Sequence, residues 1–145
     1  MVGKNPTAVV TIINSGRRPA KVTTAEAAGQ HFAIFPKVPT YQQKDAAPGF
    51  SFLDFKSVSI MVPNQGTTMT VRIPPVTAPL MAVYESKSLT YYIYAQVVYE
   101  DVLSHRAHWT HLCWEYYPGL KDANGDGSNA FVNCPTYNEV DPEHP

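Results

Sequence analysis

The chain has 145 residues, 44% of them hydrophobic and 16% charged, with eleven basic and twelve acidic side chains for a net charge of -1. That is one domain's worth of sequence, too apolar and too weakly charged for intrinsic disorder, and too evenly charged to carry the footprint of a nucleic-acid binder. Thirteen prolines and eight glycines exclude a helical bundle or coiled coil, and no stretch approaches the ~20 apolar residues that cross a bilayer or forms the basic-then-apolar run of a signal peptide.

In chain order, the first periodic segment is Thr7 to Asn14, filled with β-branched residues that pack well on a pleated surface. It ends at Asn14-Ser15-Gly16, which tolerates a turn. Pro19-Ala20 restarts an extended run through Thr24, and the short stretch Ala25–Ala28 before Gly29 reads as a strand or strand edge. Residues 35–50 hold Pro36, Pro39 and Pro48 and read as a long surface loop. Ser57–Val62 and Thr67–Ile73 alternate around Pro63-Asn64-Gln65-Gly66, a hairpin-like signal. After Pro74-Pro75, Thr77 caps a short helix near 78–86. Leu89–Tyr99 is almost wholly apolar or aromatic and belongs in the middle of a sheet. His108–Tyr117 and Ala130–Cys134 are the closing strands. The whole of 1–145 reads as a single domain: an all-β, antiparallel, immunoglobulin-like β-sandwich of about seven strands with one short helix.

Two cysteines stand twenty-one positions apart, at Cys113 and Cys134. An ideal hairpin with Asn124-Gly125 at its tip would set position 113 against position 136. Cys134 is two places away, within the shift that a bulge or looser turn introduces. The two sulfurs can therefore meet across neighbouring strands, which implies an oxidising compartment. The competing reading is a pair of independent buried thiols in a cytosolic protein. No C-x-x-C spacing suggests redox catalysis.

Several segments together carry a resemblance. Asn14-Ser15-Gly16-Arg17-Arg18-Pro19-Ala20, Tyr99-Glu100-Asp101, His108-Trp109-Thr110-His111-Leu112-Cys113 and Cys134-Pro135-Thr136-Tyr137-Asn138 span almost the whole chain. The set resembles a family of uncharacterised bacterial envelope proteins with the pattern Asn-x-Gly-x-x-Pro-Ala, Tyr-x-Asp, His-x-Thr-x-Phe-Cys and Cys-x-x-Tyr-Asn. The resemblance implies a soluble β-domain placed after one or two transmembrane helices, with no established activity and no catalytic residues to carry over. This chain departs from the pattern in carrying no membrane helix. It also has Leu103-Ser104 where the family tends to have Phe-Gly, and a gap to His108 that is one residue longer.

The chemistry-bearing residues give weaker signals. His105, His108 and His111 lie on a strand, where His108 faces opposite to His111. His105 and His111 are about 20 Å apart at ~3.3 Å per residue, too far for one metal ion. His108 with Asp101, Thr110 and Asp141 reads instead as a buried polar network. Asp122, Asn124 and Asp126 resemble the first half of a calcium loop, but Asn133 stands where its bidentate glutamate belongs, and turn-forming dipeptides explain the same letters. Trp109, Trp114 and Tyr116 are candidates for an exposed ligand-stacking surface, against the plain alternative that alternate aromatics fill the core. No nucleophile-elbow, dinucleotide or P-loop motif occurs, so catalysis is the weaker class, and no cofactor is implied.

These features lead to a non-catalytic, extracytoplasmic, periplasmic interaction module of a bacterial envelope protein, with a protein partner and with membrane attachment only through a segment outside this chain. The alternatives are a carbohydrate-binding module using exposed Trp and Tyr, and a metal-assisted hydrolase around His108.

Overall fold

The computed structural model of the chain describes residues 7–41, 51–55, 59–73, 77–121 and 127–141. It is an antiparallel all-β fold with one short helix, as the sequence pattern requires. The elements are β1 (Thr7–Ile13), β2 (Ala20–Phe32), β3 (Ser51–Phe55), β4 (Ser59–Met61), β5 (Gly66–Arg72), α1 (Ala78–Glu85), β6 (Thr90–Asp101), β7 (Ala107–Lys121), β8 (Gly127–Asn133) and β9 (Glu139–Val140). Nine strands are thus described where about seven were expected. They form two unequal sheets: β1 pairs with β5 alone, and a seven-stranded sheet runs β3-β2-β6-β7-β8, with β4 also on β2 and β9 also on β7.

The two-stranded sheet lies on one face of the larger one. Its inward side chains Ala8, Val10, Met69 and Val71 join Val22, Ala25, Ala27, Ile93, Ala95 and Val97 in the main core. α1 closes one end, capped by the Thr77 hydroxyl, which accepts from the Leu80 amide at 3.3 Å. Its Tyr84 reaches back to His31 and Tyr116. The opposite face of the large sheet is covered by irregular chain. Tyr41, Phe35 and Tyr137 pack there on Ala28, Tyr92, Tyr94 and the two cysteines. The segment expected as a surface loop therefore supplies part of a second core through Phe35 and Tyr41. β6, buried on both faces, is the strand that the two cores share.

The strands on either side of Pro63–Gly66 are not a hairpin pair. β4 adds to β2 in register Ala20↔Met61, whereas β5 crosses to the other layer and pairs with β1 in register Ile13↔Gly66. Alternation marks strands but does not name their partners. Asn64, at φ 65, makes the crossing turn, and its amide donates to the Asn14 carbonyl at 2.8 Å. The Ala25–Gly29 stretch is equally instructive, because it is not an edge: β2 is flanked by β3 and β4 on one side and β6 on the other. Glycine is needed at its end because Tyr91 lies over β2 at Gly29. A Cβ at Gly29 would collide with the Tyr91 ring.

Replacing Gly29 with alanine should therefore lower the stability of the chain by about 1–3 kcal/mol through overpacking, read from the urea midpoint, and a second change of Tyr91 to Phe should recover part of the loss.

All nine tyrosines of the chain resist ionisation in the fold. Burial is the leading cause for Tyr41, Tyr84, Tyr91, Tyr92, Tyr94, Tyr99, Tyr116 and Tyr137. Tyr117 is pushed up to about 12, chiefly by its hydrogen bond to Glu115. A free phenol ionises near pH ~10. Above that pH the unfolded chain releases protons that the folded chain keeps, so stability is full below it and falls as pH rises. Absorbance at the phenolate band should show little ionisation at pH ~10, then a cooperative step that coincides with unfolding; nine ordinary titrations would contradict the packing.

Candidate functional site

Where β1 ends, the two layers part and leave a cleft. Its inner section, of about 290 Å³, lies between Ile12 and Ile13 of β1 and a floor of Val22, Val97, Leu112 and Val140. Its mouth, of about 460 Å³, is lined by Arg17, Arg18, Tyr99, Asp101 and His108. The two sections share Asn14, Ser15, Gly16, Ala20 and Tyr99, so a polar rim leads into an apolar interior.

Asn14 builds the rim. Its side-chain amide donates to the carbonyls of Arg18 and Met61, both at 2.8 Å, and its side-chain oxygen accepts from the Gly16 amide at 3.0 Å. Its backbone N–H donates to Gln65. One side chain thus joins the 14–19 turn to β4 and, through its backbone, to the β4–β5 turn.

Asp101 ends β6 and organises the next turn. Its carboxylate accepts from the amides of Ser104 at 3.0 Å and Leu103 at 2.8 Å. Those two bonds hold its carboxyl below the ordinary carboxylate range, helped by Arg18, 3.7 Å away, and by His108. His108, only 4% exposed, has Nδ1 3.2 Å from Asp141 Oδ2, and the Tyr99 ring leans on it at 5.5 Å. Asp141 is placed by the β7–β9 ladder, its amide donating to the Trp109 carbonyl at 2.9 Å. Of the expected polar network, Asp101, His108 and Asp141 gather at the mouth; Thr110, opposite Val140 on β9, lines the apolar section.

The two histidines on either side of His108 in the sequence each face their own carboxylate, His105 with Glu100 at 2.8 Å and His111 with Glu139 at 3.4 Å. Among the described residues no three His, Cys, Asp or Glu side chains are grouped to hold a metal ion. The calcium-like letters Asp122, Asn124 and Asp126 lie outside the described residues.

The ligand-stacking trio needs correction. Tyr116 is 1% exposed and sits in the main core. Trp114 packs half-buried against the same core, while Trp109 belongs to the opposite face of β7, as odd spacing dictates. There Trp109, His111 and Tyr137 form one stack with ring separations of 4.3 Å. The three aromatics therefore share no platform.

Behind that stack is the disulfide between Cys113 and Cys134, whose Cα atoms are 5.4 Å apart. The register of β7 with β8 shifts between Tyr117 and Leu120, and this bulge is one source of the offset from an ideal hairpin. Asn138 holds the pair from the side. Its Oδ1 accepts from the Cys113 amide at 2.9 Å, and its Nδ2 donates to the carbonyls of Cys113 and Cys134 at 3.1 and 2.9 Å. The carboxamide acts as a short surrogate strand. Tyr137, at φ 61, turns the chain so that its ring stacks on His111 and its hydroxyl meets that of Tyr41 at 2.6 Å. The roles of Asn14 and Asn138 were not legible from the sequence, although both residues fall in the segments that carry the resemblance. Those segments converge on the cleft and the disulfide.

Compared with protein-family models, with curated proteins and with solved structures, the chain finds no match in any of the three.

Removing the Asn138 amide leaves the buried Cys113 N–H without its acceptor. Asn138→Ala should cost about 1–3 kcal/mol with the disulfide intact. Asn138→Asp, which cannot donate to the two carbonyls, should cost at least as much; urea unfolding under non-reducing conditions measures both.

Proposed function

We propose that the chain is a non-catalytic interaction module that works outside the cytosol, in the envelope of a bacterium, and that the cleft at the end of β1 is its binding surface. The observation that carries this reading is the joining of an apolar cavity to a polar rim built from three separate parts of the chain, the 14–20 turn, the end of β6 and the start of β7. Pockets that bind are mostly apolar with a few placed polar groups, and this one has that composition. The disulfide supports the compartment, since such bonds persist where the environment is oxidising. No helix among the described residues is long and apolar enough to cross a membrane; tethering, in this reading, belongs to another segment. The immunoglobulin-like description and the kinship with the envelope family rest on the strand pattern and on the motif segments quoted above.

The carbohydrate alternative is weakened by the scattering of Trp109, Trp114 and Tyr116. The hydrolase alternative is weakened because His108 at the mouth has Nδ1 already engaged by Asp141 and no three metal-ligating side chains are grouped among the described residues.

Protein recovered from its native compartment and unfolded without reductant should show no free thiol. Two free thiols would overturn the extracytoplasmic assignment. Reduction of the bridge should cost about 3 kcal/mol of stability.

A further inference from the structure

The upper layer of the fold is narrower than its floor. Two strands lie over a sheet of seven. β5 contacts β2 and β3, which leaves β1 as the outer strand, its end facing Val97, Thr110 and Leu112 across the cleft. Among the described residues β1 is paired only with β5. Its outer edge thus presents a row of backbone donors and acceptors beside an apolar floor, the arrangement that extended peptides complete by adding a strand.

The charges at the mouth indicate what the added strand carries. Asp101 and Asp141 have side chains only 14% exposed, each turned toward a group of the protein, whereas the Arg18 side chain is 62% exposed. Arg17 beside it is exposed as well. The outward-facing charge is therefore positive. A second copy does not supply the complement: β1 itself contains no acidic residue, and Lys4 is the nearest charge before it.

Resting on the reading of the cleft as a binding surface, we infer that the partner contributes an extended peptide segment that pairs with the open edge of β1. Alternate apolar side chains of that segment lie on Val97, Leu112 and Val140, and an acidic side chain sits at the Arg17–Arg18 end. Backbone pairing provides affinity without regard to sequence; the floor and the arginines provide selectivity.

The test uses the oxidised full chain and displayed random peptides of about nine residues, enough to span the seven of β1. Enriched peptides should alternate apolar residues and carry Asp or Glu toward one end. The matching synthetic peptide should slow amide hydrogen exchange along β1. The double variant Arg17→Glu, Arg18→Glu should weaken that peptide about tenfold and, on reselection, favour Lys or Arg at the same place. Leu112→Lys should abolish binding, with unchanged far-ultraviolet circular dichroism certifying the fold of both variants. Peptides that protect other strands, show no acidic preference, or ignore the arginine reversal would overturn strand addition, as would a failure to enrich any peptide. The thiol count is unaffected by these outcomes, so strand addition can fail while the extracytoplasmic assignment stands.

Discussion

The Asn138 carboxamide occupies the place of a neighbouring strand beside Cys113, and much of the arrangement along β7 up to the cleft mouth follows from it. Bonded to the backbone of both cysteines, it fixes the chain between Cys134 and Asp141 against β7. Tyr137 is then presented to His111, and Glu139 and Val140 are laid along Thr110 and His111 as β9. Only after this does Asp141 reach His108 at the cleft mouth. The disulfide constrains the same junction, but a bond between two sulfurs has no means of directing the residues after it. The amide does, because its donors and acceptor lie in one plane and demand one orientation of the chain.

A second constraint is β6, which is covered on both faces and yet rich in tyrosine. A phenol adds apolar area and one polar atom that needs a partner when buried. The fold meets that need by sending hydroxyls into its two covers. Tyr91 donates to the Arg72 carbonyl of β5 at 3.3 Å, and Tyr94 to the Thr40 carbonyl at 2.8 Å. The same side chains that fill the sheet thus pin the layer above it and the irregular chain below it. The hydroxyl of Tyr116 has no hydrogen-bond partner among the described residues.

The strands most visible in the sequence were those whose side chains announce burial directly, such as the apolar run of β6 and the β-branched run of β1. Thr77 likewise marked α1. The pairing of β4 and β5 was not legible, because alternation reports which residues face inward and not which sheet they join. β2 was undervalued because alanines and Gly29 carry little strand propensity; the need for glycine at 29 comes from Tyr91, which lies far away in sequence. β9, two residues long, has no periodicity to detect. At the candidate site, His108 and Asp141 could be suspected as partners from chemistry alone. The rim made by Asn14 could not, since an asparagine before Ser-Gly reads as a turn whether or not its side chain spans two layers. The stacking trio failed for the same reason that exposure is hard to read: a strand's two faces can be separated by parity, but which face is covered depends on the rest of the chain.

The contacts that set Cys113 and Cys134 side by side require no covalent link between them. Cys134 donates its own amide to the Cys113 carbonyl at 3.1 Å, and Asn138 completes the alignment. These hydrogen bonds hold the junction in register separately from the sulfur–sulfur bond. The bridge therefore closes across a junction that the backbone and one side-chain amide also hold, a non-covalent template around a covalent lock.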